Sequence, residues 1–324
     1  MDIWELSDVA TPWCVYVVAT LDIASHIAGG KSDIVSLAAA AGADPPYLGR
    51  VMRHLVSKGV FEQTAPGQFA LNDTARLLLD SAARVGLNLD GLGGRMAHSW
   101  GTLLSAVRTG RPAYHEAFGR PFWEDLEANP PIAANFDELM GPAGHGVPDP
   151  EVLLDPATWD SVRTVIDVGG GTGSLLAEIL RARPGVHGIL VDLPRTIARS
   201  AEVFAAAGVA TRATAVAQSF FDPLPQGDLY LIKNVLADWP DREALALLTC
   251  CAVAARPSGR VVLLGGVTPG EEEAPELMMM VLVGGRSRPL SEFRRMAREA
   301  GLEVRSSGHL QSGRFAVECA PLPA

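Results

Sequence analysis

Gly169, Gly171 and Gly173 follow directly on the run Thr164-Val-Ile-Asp-Val168, and Asp192 ends the next apolar run, Gly188 to Val191. A β-branched run that meets glycines reads as a buried parallel strand that turns tightly at its carboxyl end. Ser174 to Ala182, rich in Leu and Ala, continues as a helix. The order is strand, glycine turn, helix, strand, acid, which describes a nucleotide-type cofactor site at the tip of a parallel sheet. The glycines fit G-x-G-x-G, whereas the dinucleotide fingerprint needs a glycine at 174, where Ser174 stands. A pyrophosphate needs donors at the helix N-terminus. S-adenosylmethionine (SAM) has no phosphate; it needs close backbone approach for its amino-acid end and a carboxylate for its ribose hydroxyls, which Asp192 would supply. The plainer reading is a turn whose glycines serve packing alone; the coincidence of all four elements favours the cofactor.

The elements that hold this turn belong to a chain of 324 residues, enough for two domains. Its 48% hydrophobic and 20% charged composition is that of a soluble globular protein. A net charge of −10 repels a phosphate backbone, so nucleic acid is not an expected partner. Cys14, Cys250, Cys251 and Cys319 show neither metal spacing nor a disulfide framework, so no metal is expected and a reducing cytoplasm is the simplest setting. The acidic N-terminus has no basic n-region, and the apolar run from Trp13 to Leu21 is too short to span a bilayer, so no membrane is expected.

Taken in order, residues 2 to 28 read as one helix, apolar on most sides, which needs either a second subunit or burial within the chain. Ile34 to Ala41 and Tyr47 to Lys58 read as two helices, the second capped by Asp44-Pro45-Pro46. Val60 to Glu62 and Gln68 to Leu71 make a hairpin across Pro66-Gly67. Two helices and a hairpin describe a winged helix. Arg50, Arg53, His54 and Lys58 could contact DNA, but the acidity of the chain favours a structural or dimerising role. Residues 73 to 140 read as mainly helical and gather Trp100, Phe118, Phe122, Trp123 and Phe136, as core or as the wall of an aromatic pocket. Gly141 to Pro150 is a breaker-rich linker.

Beyond it, strands alternate with helices. Ala213–Ala217, Leu229–Ile232 and Arg260–Leu264 read as strands, Asp241–Arg256 and Leu290–Ala300 as helices, and Val304–Ser307 with Arg314–Glu318 as a closing antiparallel pair. This is a doubly wound α/β sheet, with Gly169, Asp192, Ser219 and Lys233 converging at its carboxyl edge. The expected domains are a helical winged-helix dimerisation domain over 1–95, a helical substrate-side region over 96–150 and a SAM-binding Rossmann-like domain over 151–324.

Four motifs occur in order: Asp167-Val-Gly-Gly-Gly-Thr-Gly173, Val191-Asp-Leu-Pro194, Ser219-Phe-Phe-Asp-Pro-Leu-Pro225 and Asn234-Val-Leu-Ala-Asp-Trp-Pro-Asp241. They are similar to motifs of SAM-dependent class I O-methyltransferases, and the winged-helix front half resembles the subgroup that modifies aromatic and polyketide natural products, bacterial naphthoate O-methyltransferases among them. The resemblance covers nearly the whole chain. It implies a homodimer through interlocking N-terminal helices and a small aromatic substrate. Gly169, Gly171 and Gly173 would approach the methionine part, Asp192 and Leu193 the ribose, Ser219 and Phe220 the adenine, Lys233 the carboxylate end and Trp239 the cofactor edge. The substrate pocket would draw on Trp100, Phe122, Phe136, Met140, Asn234, Met279 and Val283, the last two from an uncharged stretch, Leu277 to Val283, whose methionines suit a flat ligand.

The chain departs from the family where the chemistry is done. The usual His-Asp-Trp, whose histidine takes the phenol's proton, reads Ala237-Asp238-Trp239. The acids that orient that histidine are replaced by Gly265-Gly266 and, in Gly284-Gly-Arg-Ser-Arg288, by Ser287. A general base contributes about 10² to 10⁴ in rate, and positioning roughly 7 to 11 kcal/mol, so methylation of an acidic hydroxyl can proceed by proximity. The alternative is a SAM-binding enzyme repurposed for cyclisation, hydroxylation or decarboxylation; a non-catalytic winged-helix regulator is the reading from another class. Candidate substitute bases are Asp238, which could instead cap or pack beside Trp239, and His145 in the linker, with His98 and His115 on the helical side.

Overall fold

The computed structural model describes residues 2–140, 149–271 and 275–323. It contains two compact units: Met1–His98 with Asn129–Leu139, and Ser99–Ala128 with Met140–Ala324.

In the first unit the expected single helix over 2–28 is three helices, Ile3–Leu6, Ala10–Thr20 and Ile23–Ala28. Two aspartates cause the breaks. The Asp8 carboxylate accepts from the N–H groups of Ala10 at 2.8 Å and Thr11 at 3.3 Å, which starts a new helix. Asp22 sits in the left-handed region at φ +51°, which ends it. Ile3, Trp4 and Val9 stay 68%, 79% and 70% exposed in the single chain. The helix Ile34–Ala41 ends at Gly42, and the next, Pro45–Ser57, takes both prolines into its first turn under the Asp44 cap, which accepts from the Tyr47 N–H at 3.0 Å. Strands β1 (Glu62–Ala65) and β2 (Gln68–Ala70) complete the winged-helix hairpin. Val18, Leu37, Met52, Leu55, Phe61 and Phe69 form its core. Two of the basic residues of Pro45–Ser57 and its cap face their own chain: His54 Nε2 lies 2.8 Å from Thr11 Oγ1, and Lys58 Nζ lies 3.5 Å from Asp8.

The second unit is built on β3 (Thr164–Val168), β4 (His187–Asp192), β5 (Ala213–Ala217), β6 (Leu229–Lys233), β7 (Arg260–Leu264), β8 (Val267–Thr268), β9 (Arg288–Pro289), β10 (Leu302–His309) and β11 (Phe315–Pro321). A 7-stranded sheet runs β10-β11-β7-β6-β3-β4-β5. β3 to β7 are mutually parallel, and β11 and β10 close the edge antiparallel. The closing pair is longer than the sequence suggests because its ladder extends from Leu302 opposite Pro321 to His309 opposite Phe315.

Successive residues of β3 face opposite layers, as a period of two requires. Ile166 and Val168 pack with Leu247, Leu248 and Phe293 from the helices Asp241–Ala254 and Leu290–Glu299. Val165 packs with Leu176, Ile179 and Leu180 of the helix Ser174–Ala182. The sheet is therefore doubly wound and buried on both faces. The chain leaves β3 toward β4 and β5, then returns to place β6 on the other side of β3. That reversal opens a crevice outside the carboxyl ends of β3 and β6. Among the described residues no helix is long and apolar enough to cross a membrane.

Candidate functional site

At the end of β3 the chain makes a turn that side chains would block. Gly169, Gly171 and Gly173 all have positive φ, at +69°, +65° and +82°. A Cβ on Gly169 would come within 2.8 Å of Val235 Cγ2 and 3.4 Å of Phe220 Cε1. One on Gly170 would overlap the Asp167 carboxyl. The turn thus lies directly against Asp167 below and against the loops that follow β5 and β6. Asp192, at the end of β4, accepts the Gly171 N–H on Oδ2 at 2.8 Å and the Leu193 N–H on Oδ1 at 2.7 Å. Both oxygens are fixed by backbone donors.

Asp167 was not expected from the sequence as a site residue. It is 1% exposed, and among the described residues its Oδ2 has no hydrogen-bond partner. Burial pushes its carboxyl up to about 7; Lys233 opposes the shift and Asp192 adds to it. Lys233, at the end of β6, has its own value lowered, first by burial and then by Arg314, with Asp167 opposing. The signal in the sequence was an ionisable residue in a strand that the glycines mark as buried on both faces. Two carboxyls beneath and beside one turn make a seat for a cation.

An aromatic cluster flanks the seat. Phe220 and Phe221 meet the Trp239 ring edge-on at 5.8 and 5.0 Å, and Trp123 stacks on Trp239 at 6.0 Å. The Ser219 hydroxyl accepts the Phe221 N–H at 3.2 Å, so it holds the shape of this loop.

The segment after β6 carries Ala237 and Asp238, the residues expected from the sequence to depart from the family pattern or to replace its base. Asn234 is exposed, in the left-handed region at φ +56°, and a Cβ on Gly265 would overlap its amide oxygen. A Cβ on Gly266 would press on Ala237 N at 3.0 Å, and one on Gly285 would collide with Ala237 O. Glycines at 265, 266 and 285 are therefore required by the path of this segment. Ser287 donates from its N–H and its hydroxyl, the latter at 2.6 Å, to Glu276, itself at φ +34°. A carboxylate from elsewhere in the chain thus occupies the neighbourhood where Ser287 lacks one.

Arg288 is fully buried and ties the segment together. Its Nη1 donates to Leu236 O at 3.2 Å and Arg286 O at 3.0 Å, its Nη2 to Trp239 O at 2.8 Å and its Nε to Asp241 at 3.0 Å. Between the two gripped carbonyls of the loop stand Ala237 and Asp238. Asp238 is half-buried, and burial pushes its carboxyl up to about 7. Among the described residues this carboxyl makes no hydrogen bond or ion pair, so it does not act as a cap.

The other expected residues are dispersed. The helix Leu277–Leu282, with Met279, packs against the turn Trp100–Thr102 and the helix Leu103–Thr109. Trp100 is 39% exposed, Met140 45%, and Met279 and Val283 are half-buried. Phe122 is buried edge-on to Tyr114 and Trp123, at 5.4 and 5.1 Å, and serves the core. Phe136 belongs to the first unit. His98 packs on Trp13 at 4.9 Å, and His115 is exposed. His145 lies outside the described residues.

Residues 100–303 match an O-methyltransferase domain and residues 4–81 an O-methyltransferase dimerisation domain. The chain is 39% identical over 309 residues to 2,7-dihydroxy-5-methyl-1-naphthoate 7-O-methyltransferase of Streptomyces carzinostaticus, covering 93% of this chain and 92% of the relative. It is 36% identical over 318 residues to aclacinomycin 10-hydroxylase RdmB of Streptomyces purpurascens, covering 93% and 84%. Among solved structures, the O-methyltransferase NcsB1 from neocarzinostatin biosynthesis, in complex with SAM and 2-hydroxy-5-methyl naphthoic acid, superposes with a TM-score of 0.90 at 36% identity over 99% of each chain. With both domains matched and relatives along its length, the chain belongs to the SAM-dependent O-methyltransferase family.

Proposed function

We propose that this protein transfers a methyl group from SAM to a hydroxyl of a small aromatic or polyketide-type metabolite, as part of antibiotic or other secondary metabolism, without a histidine base. The observation that carries the reading is the seat at the glycine turn. An orphaned carboxyl oxygen of Asp167 lies under a backbone that no side chain may crowd, and Asp192 is held beside it. Those residues fit SAM, which when bound supplies an electrophilic methyl on a sulfonium. Gly169 and Gly171 admit the amino-acid end, Asp192 accepts from the ribose hydroxyls with Leu193 beside it, and Lys233 faces the carboxylate end. Phe220, Phe221 and Trp239 offer aromatic faces and edges around a positive charge. Trp100, Asn234, Met279 and Val283 are the substrate-side residues of the second unit. The exposed apolar residues Ile3, Trp4, Leu6 and Val9 support a homodimer through the first unit.

Asp192→Ala is expected to weaken SAM binding at least tenfold, since a charge-assisted bond contributes about 1.5 to 3 kcal/mol. Isothermal calorimetry measures this, and an unchanged affinity contradicts the assigned cofactor seat. The reaction itself is tested with a panel of hydroxylated naphthoates and quinones, read by mass spectrometry. A product heavier by one methyl group, with S-adenosylhomocysteine (SAH) formed, is the expected result. A product changed in another way with SAM unconsumed favours the second reading, a repurposed SAM-binding enzyme. Ala237, Gly265 and Ser287 and the similarity to a 10-hydroxylase support that alternative.

A further inference from the structure

The segment that lost its histidine still holds one carboxyl in a state suited to proton transfer. The other carboxyls of this region are engaged. Glu276 accepts from Ser287, Asp241 is bound by Arg288 and Arg286, and Glu292 is bound by Arg286. Asp167 lies beneath the glycine turn. Among the described histidines, His26 lies in the first unit, His54 is bonded to Thr11, His98 packs on Trp13 and His309 on Phe315 at 5.3 Å, and His115 and His187 are exposed. Among the carboxyls of this region, Asp238 alone combines partial burial with the absence of any partner among the described residues.

Its placement is not accidental. Asp238 lies in a 3₁₀ turn, Leu236–Asp238, whose two flanking carbonyls, Leu236 O and Trp239 O, are gripped by one buried guanidinium. Gly285 closes on the backbone of the same residues and leaves it no room to shift. The Asp238 N–H donates to Val235 O at 3.1 Å, and Val235 is the residue that touches the Gly169 position of the turn. The backbone that carries this carboxyl is therefore one short turn of chain from the seat where the methyl group would be presented.

Resting on the methyl-transfer reading above, we propose that Asp238 is the proton acceptor for the acceptor hydroxyl, doing the work of the absent histidine. The aromatic O–H bond breaks, its proton passes to an Asp238 carboxylate oxygen, and the phenolate oxygen keeps the electron pair. That oxygen forms the new C–O bond as the S–C bond of SAM breaks, its electrons returning to sulfur. The proton then leaves Asp238 for solvent. A value near 7 matches the operating pH of a general base. Burial alone is the cause of that shift, with no charged neighbour contributing.

Asp238→Asn preserves shape and tests the assignment. The expected result is a fall in kcat of roughly 10² to 10³, loss of the rise in kcat through about pH 7, unchanged SAH affinity by calorimetry, and partial recovery in Asp238→Glu. The profile is measured at saturating SAM, so that ionisation of Asp167 in the cofactor seat does not enter it. A second readout needs no turnover. With SAH bound, the absorbance of 2-hydroxy-5-methyl naphthoic acid should show a naphthol that ionises at higher pH in the wild type, where the neighbouring Asp238 carboxylate disfavours a second negative charge, than in Asp238→Asn. Wild-type kcat, pH profile and spectrum in Asp238→Asn would overturn the proposal while leaving methyl transfer standing. Ionisation that depends on Asp238, without methyl transfer to any acceptor, would overturn the methyl-transfer reading and keep the base.

Discussion

Asp167→Asn should make the ligand-free protein melt at a higher temperature and bind SAM more weakly. The two effects share one cause. Asp167 is buried with an unpartnered oxygen and a carboxyl value raised to about 7. Below about pH 4 both folded and unfolded chains carry the proton, and burial costs no ionisation energy. As pH rises, the unfolded carboxyl ionises and the folded one resists, so stability is lost progressively until about pH 7 and the penalty is constant above it. At neutral pH the penalty is on the order of 3 to 4 kcal/mol, softened where Lys233 supports the charge. Asparagine removes it at nearly the same volume. The same carboxylate would face a bound sulfonium, which favours the ionised form. Wild-type affinity for SAM should therefore rise with pH through about 7, and the variant should lose that slope. SAH, whose sulfur is neutral, provides the control: the wild type should prefer SAM to SAH more strongly than the variant does. Thermal melts and calorimetry across the neutral range measure both effects. A variant with wild-type SAM affinity at every pH would remove Asp167 from the cofactor seat.

What could be read from the sequence was local. Ser174–Ala182 and Arg260–Leu264 occupy the residues their apolar pattern indicates, because each buries its face against the sheet or within it, whereas Ala213–Ala217 pairs at the sheet edge without a buried residue. The glycine turn and Asp192 were legible because a backbone turn and the acid one strand later are written at fixed spacing. The break of the N-terminal helix was legible in principle, since Asp8 stands just before the helix it caps, but the unbroken run of apolar residues hid it. Long-range contacts were not legible. Arg288 reaches carbonyls 49 and 52 residues earlier in the chain, and Glu276 reaches Ser287 only by bending through the left-handed region. No periodicity encodes either.

These distant contacts change the meaning of the missing residues. Ala237, Gly265 and Ser287 look from the sequence like three independent losses. In the fold they are linked: a Cβ at 265 would strike Asn234, Gly285 presses on Ala237, and Ser287 recruits Glu276. Each of these positions is thus fixed by a contact that holds the segment rigidly with the residues it has.

Arg288→Met is the most severe test of that rigidity. Methionine fills a similar volume without donors, and Leu236 O, Trp239 O and Arg286 O lose the guanidinium that satisfies them. Stranding buried polar groups costs about 1 to 3 kcal/mol each, so the three carbonyls together cost at least about 3 kcal/mol. Asp241 adds little, because its side chain is 56% exposed and remains bound by Arg286. The second unit should melt roughly 10 °C lower. Below that melting point Asp238 and Trp239 lose their fixed positions while Asp192 keeps its backbone donors, so kcat should fall far more than SAH affinity. Arg288→Lys separates charge from geometry: an ammonium restores one cation but cannot span both loop carbonyls and Asp241 at once. It should recover part of the stability and little of the rate. If Arg288→Met melts with the wild type, the clamp does not hold this segment, and the fixed placement of Asp238 loses its cause.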